Sequence, residues 1–179
     1  MVFRNISAEK SSEERVRFVV CAFTGHRPHK LPWGHNEQEP GCLAVKQMLD
    51  RRLQEAYTLG CRTFLCGMAQ GCDTYFAEAV LALRQEKPDV ALVAMIPWPG
   101  QADGWKPEAR LRYERLCAAC DRVEILEPAY SHGCALRRNS AMVRRAQVLI
   151  SVYDGTSGGT GNTVRQGEKS GLTILPVWL

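Results

Sequence analysis

No apolar run in the chain approaches the ~20 residues that a membrane-spanning helix needs. The first 14 residues, Met1 to Glu14, are polar and lack the apolar stretch of a secretory signal. These two absences point to the cytoplasm, with residues 1–14 as a polar N-terminal arm and residues 15–179 as a single domain. The chain has no internal repeat, no low-complexity tract and no stretch that reads as a linker. It also lacks G-x-G-x-x-G, which removes the usual dinucleotide fingerprint. Charge of one sign is scarce too: 23 Lys and Arg against 19 Asp and Glu leave a formal net charge of +4. Phosphate-dominated binding needs several clustered cations, so this balance argues against a nucleic-acid partner.

Cysteine is not scarce, but its usual partners are. Of the 8 cysteines, Cys21, Cys61 and Cys66 fall on expected strands or their edges. Cys72, Cys117, Cys120 and Cys134 fall on expected helices, where free cysteine acts as a small apolar residue. Cys117-Ala118-Ala119-Cys120 has no second pair at zinc-ribbon spacing, so no metal site is expected. The arginines thicken after residue 109, and on helices most of them are expected to be solvated.

What the chain does have is a regular alternation of patterns. Short apolar runs at Val16–Phe23, Cys61–Cys66, Asp89–Ile96, Arg122–Leu126, Gln147–Val152 and Leu172–Val177 read as strands. Between them, helical spacing runs from Leu43 to Tyr57, Asp73 to Gln85, Glu108 to Cys120, Cys134 to Ala146 and Val164 to Lys169. Gly60 stands where a helix would end. Six strands alternating with five helices imply right-handed crossovers: a doubly wound, three-layer α/β/α domain on a mainly parallel six-stranded sheet. In such a sheet ligands bind beyond the carboxyl ends of the strands, where strand order reverses.

Three strand ends carry residues suited to a ligand. Asp154 to Thr163, DGTSGGTGNT, places glycines between a strand and a helix. Backbone N–H groups and a helix start suit an anion there, most often a phosphate, and a tight turn needing positive φ is the plain alternative. After the first strand comes Thr24-Gly25-His26-Arg27-Pro28, where Arg27 can fork onto a phosphate or carboxylate. After the second comes Gly67-Met68-Ala69-Gln70-Gly71-Cys72-Asp73, with Asp73 placed to cap the next helix. Trp98 and Trp105, after the third, could stack on a base or simply cover the core. Arg138 and Asn139 open the helix before the glycine loop, in early turns that reach toward the strand ends.

Taken together, Thr24 to Pro28, Gly67 to Asp73, Arg138-Asn139 and Gly158-Gly159-Thr160-Gly161-Asn162-Thr163 resemble the YpsA/YspA-like proteins of the SLOG superfamily. That superfamily joins the LOG phosphoribohydrolases, the DprA proteins and nucleotide-sensing modules on a Rossmann-like fold. The resemblance covers the chain from about Val16 to its end. It implies a pocket for a nucleotide or nucleotide-derived phosphate ligand, formed by Thr24, Gly25, His26, Arg27, Gly67, Met68, Ala69, Gly71, Asp73, Arg138, Asn139, Gly158, Gly159, Thr160, Gly161, Asn162 and Thr163. It also implies a homodimer. The LOG enzymes carry a glutamate after their glycine loop, and Arg165 stands at that position here. The resemblance therefore points to a nucleotide-binding sensor or regulatory module rather than an enzyme. A nucleotide N-glycosidase using Asp73 or Glu168 is the first alternative, and a DprA-like single-strand binder is the second.

Overall fold

Runs such as VVCAFTG and VLISVY are apolar on alternate and intervening positions alike, as strands covered on both faces must be. The computed structural model, which describes residues 19–179, places them at the centre of one sheet. The elements are β1 (Val19–Gly25), a 3-10 turn (Pro28–Lys30), α1 (Pro40–Thr58), β2 (Cys61–Cys66), α2 (Cys72–Glu86), β3 (Ala91–Ile96) and α3 (Pro107–Ala119). They continue with β4 (Arg122–Ile125), α4 (Cys134–Arg145), β5 (Val148–Tyr153), α5 (Gly159–Lys169) and β6 (Thr173–Trp178). The expected arm over residues 1–14, and the first residues of the expected domain, lie outside the described residues.

Strand order is β4-β3-β2-β1-β5-β6, and every neighbouring pair is parallel. The fold is Rossmann-like. Order runs outward from β1 to β4, then crosses back to β5 beside β1, so the reversal lies between β1 and β5. Cys21, Phe23, Phe64 and Ile150 pack with Leu49 of α1, Phe76 of α2 and Leu116 of α3 on one face. Ala22, Leu65, Val93 and Leu149 pack with Met142 of α4 and Val164 of α5 on the other. Each fully buried leucine or phenylalanine contributes roughly 1.5–3 kcal/mol. All eight cysteines are free thiols.

Two local expectations are corrected. The stretch from Asp154 to Thr163 is not all loop: α5 begins at Gly159, so Gly159 to Thr163 form its first turn. Low intrinsic propensity is overridden by local fit. The Thr163 hydroxyl donates to Gly159 O at 2.8 Å, and a Cβ on Gly161 would come 2.8 Å from Thr156 O. The second correction concerns Asp73, which does not cap α2. Gly71 holds that place with φ 88°, while Asp73 lies inside the helix and accepts the Ala69 N–H at 3.1 Å.

Candidate functional site

Because all strands run the same way, Gly25, Gly67 and Gly158 come to the same edge of the sheet, at the ends of β1, β2 and β5. A cavity of about 300 Å³ opens there. Of the residues singled out from sequence, Thr24, Gly25, His26, Arg27, Ala69, Asp73, Arg138, Asn139, Gly159 and Thr160 line it. Gly67, Met68, Gly71, Gly158, Gly161, Asn162 and Thr163 do not line it. Phe23, His29, Lys30, Ala135 and Leu136 line it as well and were not read from the sequence.

The floor is a network of buried polar groups. Arg138 is 3% exposed, and its Nη1 donates to Gly67 O and, at 3.1 Å, to Met95 O. Its Nε donates to Asn139 Oδ1 at 2.8 Å, and Asn139 Nδ2 donates to the Thr163 hydroxyl at 3.0 Å. One arginine thereby ties β2, β3 and α4 together. A Cβ on Gly67 would overlap the Arg138 guanidinium, so packing alone requires a glycine there. Gln101 adds to this: its Nε2 donates to Gly67 O at 3.2 Å and to Met68 O at 3.0 Å. Met68 itself sits at φ 56°. Asp73 is 6% exposed. Burial pushes its carboxyl above the ordinary range, while the charges of Arg138 and Arg27 and the Ala69 amide pull it back.

The roof is built around His26, 2% exposed. Its Nε2 faces Asp154 Oδ1 at 2.8 Å and its Nδ1 faces the Thr160 hydroxyl at 3.3 Å. Asp154 accepts from the Thr156 hydroxyl at 2.6 Å and from the Thr156 N–H at 3.0 Å. These bonds, with His26, hold its carboxyl well below the usual range. His26 thereby ties the end of β1 to both sides of the glycine turn, to Asp154 before it and to Thr160 after it. Asp154, immediately after β5, could have been found from sequence as the first polar residue beyond a strand end.

The ligand side is made by α5. The N–H groups of a first helical turn have no intrahelical acceptor and carry the positive end of the helix dipole. Gly158, at φ 140°, turns the chain into that helix. Lys30 Nζ donates to Ser157 O at 2.9 Å and brings a cation across the cleft mouth. A Cβ on Gly159 would meet only Leu136 Cδ2, at 4.0 Å, so space is open in front of the helix start. Arg165 is exposed and does not line the cleft, and Glu168 is exposed too. Most other late arginines are occupied by carboxylates: Arg112 by Glu37 and Glu78, Arg137 by Glu127, Arg145 by Glu124. Trp98 packs edge-on against Tyr130 outside the cleft. Among the described residues no group of three or more His, Cys, Asp or Glu is placed to hold a metal ion. No helix there is long and apolar enough to cross a membrane.

Fold and site together define a Rossmann-like domain with a polar cleft, rich in donors, at its topological switch point. The profile of the YspA SLOG family matches residues 21–170, and the chain belongs to that family. It is similar to a UPF0398 protein of Bacillus anthracis (strain A0248), 27% identical over 152 residues, which covers 84% of this chain and 82% of the relative. A UPF0398 protein of Bacillus thuringiensis (strain Al Hakam) matches to the same extent. Among solved structures it is similar in fold to DNA processing protein A from Helicobacter pylori, described for its single-stranded DNA binding mode. The TM-score is 0.59 at 16% identity, over 88% of this chain and 64% of that one.

Proposed function

We propose that the protein binds a nucleotide or nucleotide-derived phosphate ligand in this cleft, as a sensing or regulatory module. The observation that carries the reading is the open space in front of Gly159 and Thr160, faced by the first turn of α5, Lys30, Arg27 and the His26–Thr160 pair. A phosphate there accepts backbone N–H groups, and the Thr160 hydroxyl lies beside them in the cleft wall. Arg138 and Asn139 support the floor, where Arg138 Nη1 serves two backbone carbonyls and its Nε serves Asn139. Mass spectrometry of material that copurifies with gently isolated protein tests the proposal. An intact nucleotide supports it; a free base with ribose phosphate favours cleavage instead.

Two observations keep other readings in view. Asp73 is a carboxyl in the cleft wall that burial pushes toward its neutral form, the property a general acid needs, and it favours a nucleotide N-glycosidase. Against that reading, Arg165 cannot replace a carboxylate and stands away from the cleft. The fold likeness to a protein described for single-stranded DNA binding favours a strand-binding role, which clustered cations beyond the cleft would have to sustain. For the assembly we propose a homodimer, supported by the exposed Leu43, Leu59 and Trp178 on α1 and its neighbours. Light scattering that shows only a 20.0 kDa species would contradict it.

A further inference from the structure

A second cavity, of about 220 Å³, adjoins the first on the far side of Arg27. Arg27, Pro28, His29, His35, Gln70 and Trp105 line it, and it shares Arg27 and His29 with the main cleft. Three of its lining residues are basic or can become so, and no carboxylate among the described residues lines it. Trp105 is half-buried and held in place: its backbone N–H donates to Ala102 O at 3.1 Å, and its ring meets Tyr113 edge-on at 5.2 Å. Gln70 adds a carboxamide that can read the edge of a base. Beyond it, a smaller cavity of about 60 Å³ reaches Glu37 and Arg112, where the ion pairs of Arg112 with Glu37 and Glu78 leave no unpaired cation for an anion. The row of nitrogen donors formed by Arg27, His29 and His35 thus stops after one further unit. Size points the same way. At about 300 Å³ the main cleft lies at the lower end of small-molecule sites, which run from about 300 to 1,000 Å³. The two cavities joined through Arg27 fall well inside that range.

We propose that the ligand carries two nucleotide units. The first phosphate lies at the start of α5, and the second unit lies in the outer cavity with its base on Trp105 and its phosphate among Arg27, His29 and His35. The proposal rests on the phosphate-binding reading of the main cleft and extends it. A flat aromatic face accepts any base, while cations on the rim hold the linking phosphate. Arg27, whose backbone is packed against Gly71, is the wall that both units touch.

Calorimetric titration of the full chain with the four 5′-phosphorylated homodinucleotides and the four matching mononucleotides tests this. For at least one base the dinucleotide should bind about tenfold more tightly than its mononucleotide, the gain expected from one stacked base. Trp105→Ala should remove that gain and leave mononucleotide affinity unchanged. His35→Ala, on an exposed loop residue that packs against no core, should cut dinucleotide affinity severalfold with no effect on the mononucleotide. Equal affinity for mono- and dinucleotides, unmoved by either variant, would overturn the second subsite and leave the main cleft intact. Binding of neither would overturn both. A further gain on lengthening the probe to an oligonucleotide of about eight residues would replace the two-unit site by a strand-binding groove.

Discussion

The turn from β2 to α2 is buried from Gly67 to Ala69, whereas the turn from β5 to α5 is exposed from Asp154 to Gly159. In sequence both are glycine-bearing strand-to-helix turns at the same edge of the sheet. In the first, every backbone feature is used by the protein itself: Gly67 O by Arg138 and Gln101, Met68 O by Gln101, and Ala69 N–H by Asp73. In the second, side chains from beyond β1 hold the turn, His26 on Asp154 and Thr160 and Lys30 on Ser157 O, and the helix start looks into open space. Similar glycine patterns therefore have different surroundings, close packing against an arginine in one turn and, in the other, the open space where we propose that an anion binds.

The comparison is broken most directly at Gly67. Gly67→Ala would push the Arg138 guanidinium off Gly67 O and Met95 O, combining overpacking with unpaired buried carbonyls. The expected cost is about 3 kcal/mol, a fall in Tm on the order of 10 °C. Thermal unfolding followed by circular dichroism reads it, and a Tm within a degree or so of native would mean that the arginine is not locked in place.

A smaller effect is expected at the mouth. Lys30→Ala should change stability by less than about 0.5 kcal/mol, since the side chain is exposed. Nucleotide affinity should fall about tenfold through loss of one charge-assisted bond. An unaltered dissociation constant would remove Lys30 from the site.

The smallest effect concerns pH. The carboxyl of Asp154 is depressed in the folded protein, so it contributes stability above its unfolded pKa of about 3.9, and that contribution is lost as pH falls through the lower folded value. Asp154→Asn should be less stable than native at about pH 6, and the gap should narrow at about pH 3. Urea midpoints at both values check this. A gap that stays constant would show that Asp154 acts only through shape.

Much of the fold was legible because buried parallel strands are short apolar runs that few other elements imitate. Cys61–Cys66 matches β2 end for end, and Gly60 at φ 97° follows the last turn of α1. The start of α5 was not legible. Glycine, threonine and asparagine read as loop, and only the fit of Gly161 under Thr156 and the bond from Asn139 to Thr163 make them helical. The cleft was legible as three strand ends, but not in its details. Lys30 and His29 sit in a one-turn 3-10 segment with no periodicity, so an approach such as that of Lys30 to Ser157, 127 positions away, leaves no local trace. The reverse holds for Gly67 and Gly71: their conspicuous pattern suggested ligand contact, and their close packing against Arg138 and the backbone of His26 could not be read from it.

Gly159→Asp tests the central claim most directly. The new side chain has room, and a carboxylate at the start of a helix favours the fold by about 0.3–1 kcal/mol. It also places bulk and negative charge where the phosphate must lie. Calorimetric titration of native and variant proteins with a panel of nucleoside monophosphates, at matched helicity, reads the outcome. The account predicts binding of at least one nucleotide by the native protein and none by a variant whose Tm is unchanged or higher. Equal nucleotide affinity in the two folded proteins would contradict it.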